Sequence, residues 1–133
     1  MTNASLEEWE YYLNYRRSQG FNVLQINTIT QWDRSESDID IHPFNRNEDG
    51  SYNFSQINDA YFDRAEQMLA MAVERGFTPA LVLLWSNYVP GTAFDNLAYR
   101  DVMPKEHVAG YVEYVVRRFA RFSPIYFISG DTN

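Results

Sequence analysis

The carboxyl group of Asp131 directly follows Ser129 and Gly130 at the end of the last apolar run of this 133-residue chain. A carboxylic acid there can donate a proton to a leaving group once partial burial raises its pKa toward working pH. Corresponding positions on two earlier apolar runs carry groups suited to a ligand rich in hydroxyls. Gln25 and Asn27 close the first run, and Trp85, Ser86 and Asn87 close the second. Carboxamides donate and accept hydrogen bonds at once, and an indole presents a flat apolar face to a sugar ring. The candidate ligand contacts are therefore Gln25, Asn27, Trp32, Trp85, Asn87 and Asn133, with Asp131 as the candidate catalytic group. Singly, each has an ordinary alternative: a capped sheet end, a packed indole, or a Gly-Asp turn with a solvated carboxylate. Their joint occurrence at equivalent points is the stronger signal.

The apolar runs that carry these residues span 23–26, 80–85 and 125–128, and each follows a segment of helical period. Short unbroken apolar runs between amphipathic helices read as parallel strands buried on both faces. The first helix starts at a capping box, Ser5 with Glu8, carries Leu6, Trp9 and Leu13 on one face, and ends at Gly20. A second runs from about Asn58 or Asp59 to Arg75, with Tyr61, Ala65, Met68 and Ala72 as its stripe and Gly76 as its stop. A third begins near Pro104 and carries Val108, Tyr111, Val112, Val115 and Phe119. Arg117, Arg118 and Arg121 lie near its end, where they complement the helix dipole.

The order α-β-α-β-α-β predicts an α/β fold with a parallel sheet and right-handed crossovers. If the crossovers advance in one direction, all helices lie on one face and the other face stays bare. Closing a barrel over that face typically takes eight strands and about 250 residues. The connections from 27 to 57 and from 86 to 103 are long against the usual ~2–6 residues, and both leave the carboxyl ends of strands. In parallel α/β folds, sites form at that end.

Composition narrows the partners. The chain is 45% hydrophobic and 17% aromatic, too rich in core formers for a disordered segment. A net charge of −7, from 11 basic and 18 acidic residues, argues against nucleic acid and against an anionic membrane surface. With no cysteine, disulfides, thiolate chemistry and cysteine-based zinc sites are excluded. Residues 1–20 are polar and have no signal-peptide pattern, and no stretch reaches the ~18 apolar residues of a membrane span. The compartment stays open, with a secreted or periplasmic parent protein compatible.

Asp38, Ile39, Asp40, Ile41 and His42 place two carboxylates and an imidazole on one side of an extended segment, which could hold a hard cation. The segment lacks the glycine and terminal glutamate of a calcium-binding hand, so a solvated acidic loop is the default and no metal is assigned. No phosphate loop, nucleophile elbow or zinc-protease motif occurs, and no cofactor is implied.

Tyr12 and Leu13 through Arg16, with Gly20, Phe21, Asn22, Val23, Leu24 and Gln25, resemble an early helix–strand unit of the apiosidase-like glycoside hydrolases. These are TIM-barrel enzymes, often followed by a collagen-binding-type β domain. Tyr61, Phe62 and Asp63, with Ala72, Arg75, Gly76 and Phe77, resemble the helix before their third strand, and residues 81–85 resemble that strand. Tyr111 through Ala120, and Phe127 to Asp131, are similar to the helix and strand that lead to the family's catalytic aspartate. The resemblance implies a partial (β/α)8 barrel holding roughly strands two to four. It also implies a retaining pair of carboxylates, with Asp131 as general acid/base and the nucleophilic glutamate on a later strand absent from this sequence.

The expectation is thus that residues 1–133 form an N-terminal-half fragment of a glycoside hydrolase domain, inactive alone, with a carbohydrate substrate. Two alternatives stand beside it. One is a non-catalytic carbohydrate-binding or self-assembling half barrel, associating through its open face. The other is a small doubly wound binding domain with helices on both faces.

Overall fold

The computed structural model describes residues 3–30, 38–92 and 101–130. Helix α1 (Leu6–Ser18) leads to strand β1 (Val23–Asn27), and a hairpin of β2 (Phe44–Arg46) and β3 (Tyr52–Ile57) follows. Then come α2 (Asp59–Glu74), β4 (Thr78–Val82), a 3-10 turn (Ser86–Tyr88), α3 (Lys105–Phe119) and β5 (Ile125–Phe127). Strands β1, β4 and β5 make one parallel sheet in that order. Successive crossovers therefore advance in one direction, as a barrel requires and a doubly wound sheet does not.

Helix boundaries follow the caps. Ser5 Oγ accepts from Glu8 N at 3.1 Å while Glu8 returns a bond to Ser5 N at 2.7 Å, completing the box. Asn58, rather than Asp59, caps α2 by accepting from Ala60 N. Pro104 stands at the N-cap of α3, just outside the helix, and makes no side-chain cap bond.

The strand expected at 80–85 is assigned two residues earlier, at Thr78–Val82. Pro79 is therefore inside a central strand, where a missing N–H is usually costly. The register explains its tolerance. Thr78 N donates to Asn22 O on the β1 side, so position 79 faces β5, and β5 pairing begins only at Ala80. No ladder bond is lost.

The hairpin was not anticipated in the long connection after the first strand. Alternating Tyr52 and Phe54 and the Asp49-Gly50 turn are the sequence signals for it. Its purpose in packing is plain, since Phe44, Tyr52 and Phe54 are all buried, their rings contact one another, and Phe44 also meets Tyr111.

The two sheet faces differ sharply. Leu24, Ile26 and Leu81 point to the helix side and join one core cluster with Leu13, Phe62, Leu69, Tyr111 and Phe119. On the opposite face, paired in register, lie Val23, Gln25, Ala80, Ile125 and Phe127. Val23, Ile125 and Phe127 are 44–48% exposed there, and Ile128 beyond them is 86% exposed. The expected bare face is therefore open at these flanking side chains, while Ala80 and Val82 of the central strand are buried on it.

The helices form one layer. Trp9 Nε1 donates to Met68 O at 2.9 Å, tying α1 to α2, and Arg75 pairs with Glu10 across the same seam. Between α2 and α3, Phe62 meets Tyr114 edge-on at 5.0 Å and Phe119 at 6.2 Å. Arg118 lies in the last turn of α3 as expected, and its guanidinium also reaches across to Asp59, Asp63 and Glu66 of α2. Asp59 and Asp63 are largely exposed, so solvent screens much of that attraction and the rings dominate the seam. Phe62→Ala should therefore lower unfolding free energy by about 3–5 kcal/mol, against less than about 1 kcal/mol for Asp59→Asn, both read by urea denaturation.

Candidate active site

At the carboxyl end of the sheet the backbone ladder continues beyond the formal strands. Thr28 N donates to Val82 O at 3.0 Å, Leu83 N to Phe127 O at 3.0 Å, and Ser86 N to Gly130 O at 3.3 Å. The three strand tips are thus joined side by side along one rim. The alternation between the first two bonds, with 82 bonded toward β1 and 83 toward β5, follows from the two-residue period of an extended chain.

Tyrosines fasten this rim from the helix side and from the loop. The Tyr61 hydroxyl donates to Thr28 O and the Tyr111 hydroxyl to Leu83 O, both at 2.7 Å, while Tyr88 donates to Thr30 O. Burial raises the pKa of all three phenols, so each remains a neutral donor. Tyr88 N also donates to Trp85 O at 3.0 Å and Tyr88 O accepts from Met103 N at 2.7 Å, which ties Met103, just before α3, to the turn after β4. These tyrosines were not singled out in the sequence as site residues. Tyr61 and Tyr111 read there only as members of apolar stripes, and a phenol among aliphatic stripe positions is the signal that a hydrogen bond is made at its tip.

The sequence-derived candidates divide as follows. Gln25 is exposed on the bare face of β1, and Asn27 is half-buried at its tip. Trp85 is half-buried just past β4, and Ser86 and Asn87 are buried in the 3-10 turn. Trp32, Asp131 and Asn133 lie outside the described residues. Gln25 and Asn27 also line a cavity of about 220 Å³ with Trp9, Tyr12, Leu24 and Ile26, between α1 and the free edge of β1. Trp85 and Asn87 are not among its lining residues, so the amides of β1 belong to a second concavity as well as to the rim.

Several polar groups of the rim are buried without a partner. Thr28 Oγ1, Trp85 Nε1, Ser86 Oγ and Asn87 Oδ1 have no hydrogen bond among the described residues. An unsatisfied buried polar group costs about 1–3 kcal/mol, and native folds hold few of them. Four on adjacent strand tips form a local concentration of donors and acceptors facing no core partner. Thr28 is the member that the sequence reading missed; its place one residue past the first strand was the available clue.

The acidic stretch is partly described. His42 pairs with Asp40 at 2.8 Å and meets the Tyr52 hydroxyl at 3.2 Å, and Arg46 lies over the Tyr52 ring. Among the described residues no group of three or more His, Cys, Asp or Glu is arranged to hold a metal ion. No helix of the described residues is long and apolar enough to cross a membrane.

A parallel sheet wound in one direction, with its polar groups gathered at the carboxyl rim, is the architecture of part of a (β/α)8 barrel, and solved structures match it. A glycoside hydrolase matches with TM-score 0.64 and 22% identity, over 97% of this chain and 27% of its own. A family 5 glycoside hydrolase from Bacteroides vulgatus ATCC 8482 matches with TM-score 0.65 and 20% identity, over 98% and 26%. A candidate glycoside hydrolase from the same organism matches with TM-score 0.72 and 19% identity, over 96% and 26%. The chain spans about a quarter of these proteins, and at such identities they establish the fold: part of a barrel. No curated protein matches the chain. The family model of the apiosidase-like catalytic domain matches residues 1–133, and the chain belongs to that family.

The buried phenols carry a stability consequence. Burial, the largest cause, lifts Tyr52 to about 12, and it lifts Tyr61, Tyr88 and Tyr111 further. A tyrosine in the unfolded chain releases its proton near pH 10, before these folded phenols can. Their contribution is therefore complete below pH 10 and is lost as pH rises through 12 and beyond. Urea midpoints should fall steeply above pH 10. Tyr111→Phe should cost about 1 kcal/mol at pH 7 and make that alkaline fall shallower.

Proposed function

We propose that this chain is part of the catalytic barrel of a retaining glycoside hydrolase, holding roughly barrel strands two to four, with Asp131 as general acid/base. The observation that carries the reading is the bond from Ser86 N to Gly130 O, which sets the residue before Asp131 beside Trp85 and Asn87. Family membership over the whole chain supports it, as does the cluster of buried polar groups on the same rim.

In this reading Asp131 protonates the glycosidic oxygen as the bond breaks. A glutamate on a later barrel strand, outside these 133 residues, attacks the anomeric carbon to give a glycosyl-enzyme. Asp131 then removes a proton from the water that releases the sugar. The two carboxyls must stand ~5–5.5 Å apart for this. A segment holding only one of them does not turn over by that route. Gln25, Asn27, Trp32, Trp85, Asn87 and Asn133 supply stacking and hydrogen bonds to the carbohydrate, and no cofactor is required.

The bare sheet face favours a second reading, a half-barrel module that binds carbohydrate or associates with itself. Exposed Val23, Ile125 and Phe127 give that face apolar surface of the kind that seeks cover. If it associates with itself, sedimentation of the 133-residue chain should show oligomers; a monomer across the micromolar range that also binds no oligosaccharide in calorimetry overturns this second reading.

The enzymatic reading is tested by Asp131→Asn in a protein that continues this segment to a complete barrel. Turnover of glycosides with poor leaving groups should fall about 10²–10⁴-fold. Dinitrophenyl glycosides, whose leaving group needs no protonation, should be affected far less in glycosylation. Equal losses across leaving groups, or no loss, overturn the role of Asp131.

A further inference from the structure

We infer that Gly130 is a positioning residue whose geometry is set by the Trp85 indole. This rests on the assignment of Asp131 as acid/base. A Cβ built on residue 130 would lie 2.4 Å from Trp85 Cζ3 and 2.6 Å from both Cε3 and Cη2. Carbon atoms in contact sit ~3.5–4.0 Å apart, so not even a methyl group fits. All three atoms belong to the six-membered ring of the indole, whose edge thus rests on the backbone of residue 130.

The other described glycines are different. At Gly20, Gly50, Gly91 and Gly110 an added methyl group would meet nothing within 4 Å, and at Gly76 it would meet only the flexible end of Arg17 at 3.4 Å. Gly20, Gly50, Gly76 and Gly91 adopt positive φ, whereas Gly130 does not. Glycine at 130 is therefore required for space and not for backbone conformation.

The contact is one half of a clasp. Ser86, the next residue after Trp85, donates its N–H to Gly130 O at 3.3 Å. One side of Gly130 is covered by the ring and its carbonyl is held by the adjoining peptide. Trp85 Nε1 has no hydrogen bond among the described residues, so packing on Gly130, rather than a bond of its own, orients the ring. Any side chain at 130 must push apart the tips of β4 and β5 or rotate the indole. Either shift displaces the backbone that leads directly into Asp131. A misplacement of about 1 Å in a reacting group can cost about 10²-fold in rate.

The test is a double-mutant cycle with two readouts. In a complete barrel carrying this segment, Gly130→Ala should lower kcat about 10²-fold with KM changed far less. It should also move the pH-rate limb belonging to the acid/base. Trp85→Leu removes the obstructing ring, so adding Gly130→Ala to it should cost less than about threefold, the non-additivity expected of residues in contact. The same cycle is run on urea denaturation of the 133-residue chain. There Gly130→Ala should destabilise only when Trp85 is present, and a single variant too unstable to fold beside a folded double variant meets the same criterion. Additive effects in both readouts, or full activity of Gly130→Ala, overturn the inference. Coupling in stability without turnover by any variant, wild type included, overturns the acid/base assignment and with it the positioning role, while the steric clasp stands.

Discussion

Strand β4 is the piece on which the molecule turns, because it alone is bonded on both sides within the three-stranded sheet. Its backbone groups alternate between the two neighbours, and the alternation carries on as far as Leu83. Val82 O therefore holds Thr28 N, and Leu83 N holds Phe127 O. Three residues later, where the chain enters the 3-10 turn, Ser86 N again reaches the β5 side and holds Gly130 O. The rim is an extension of the sheet itself, with the rigidity of a ladder where loops alone would give less. A site built on such tips keeps its groups in fixed relation at little extra entropic cost.

Two kinds of contact then convert that ladder into a surface with chemical character. From the helix side, Tyr61 and Tyr111 cross the core to hydrogen-bond the carbonyls of Thr28 and Leu83. Their rings belong to the apolar cluster and their hydroxyls to the rim, so core packing and rim geometry are coupled through single side chains. From the rim side, the Trp85 indole closes on Gly130 and leaves room for no side chain there. The buried Ser86 and Asn87 lie in the turn that follows, whose backbone is held where Ser86 O accepts from Thr92 Oγ1 and Trp85 O accepts from Tyr88 N.

The hairpin and the open face show two different solutions to exposed apolar surface. Phe44, Tyr52 and Phe54 bury the hairpin, with Phe44 against Tyr111, so that part of a long connection becomes core. No described residue does the same for Val23, Ile125 and Phe127, which remain nearly half exposed. In a (β/α)8 barrel the sheet face opposite the helices is the inward one, filled by side chains from all eight strands.

Helix limits, the alternation of three helices with three strands and the parallel character of their sheet were legible in the residues themselves, whereas the hairpin of β2 and β3 was not. Ser5 with Glu8, Asn58, Gly20 and Gly76 act through bonds and dihedral preferences that reach only a few residues, and those are local facts. The direction of winding, the register that excuses Pro79 and the union of residues 28, 86 and 130 depend on partners about 40 to 60 positions away, beyond any local pattern. Glycine before aspartate could be read as a turn from its type alone. That it is instead a gap cut for an indole was decided only by tertiary packing, because excluded volume acts between atoms that meet in space, whatever their separation along the chain.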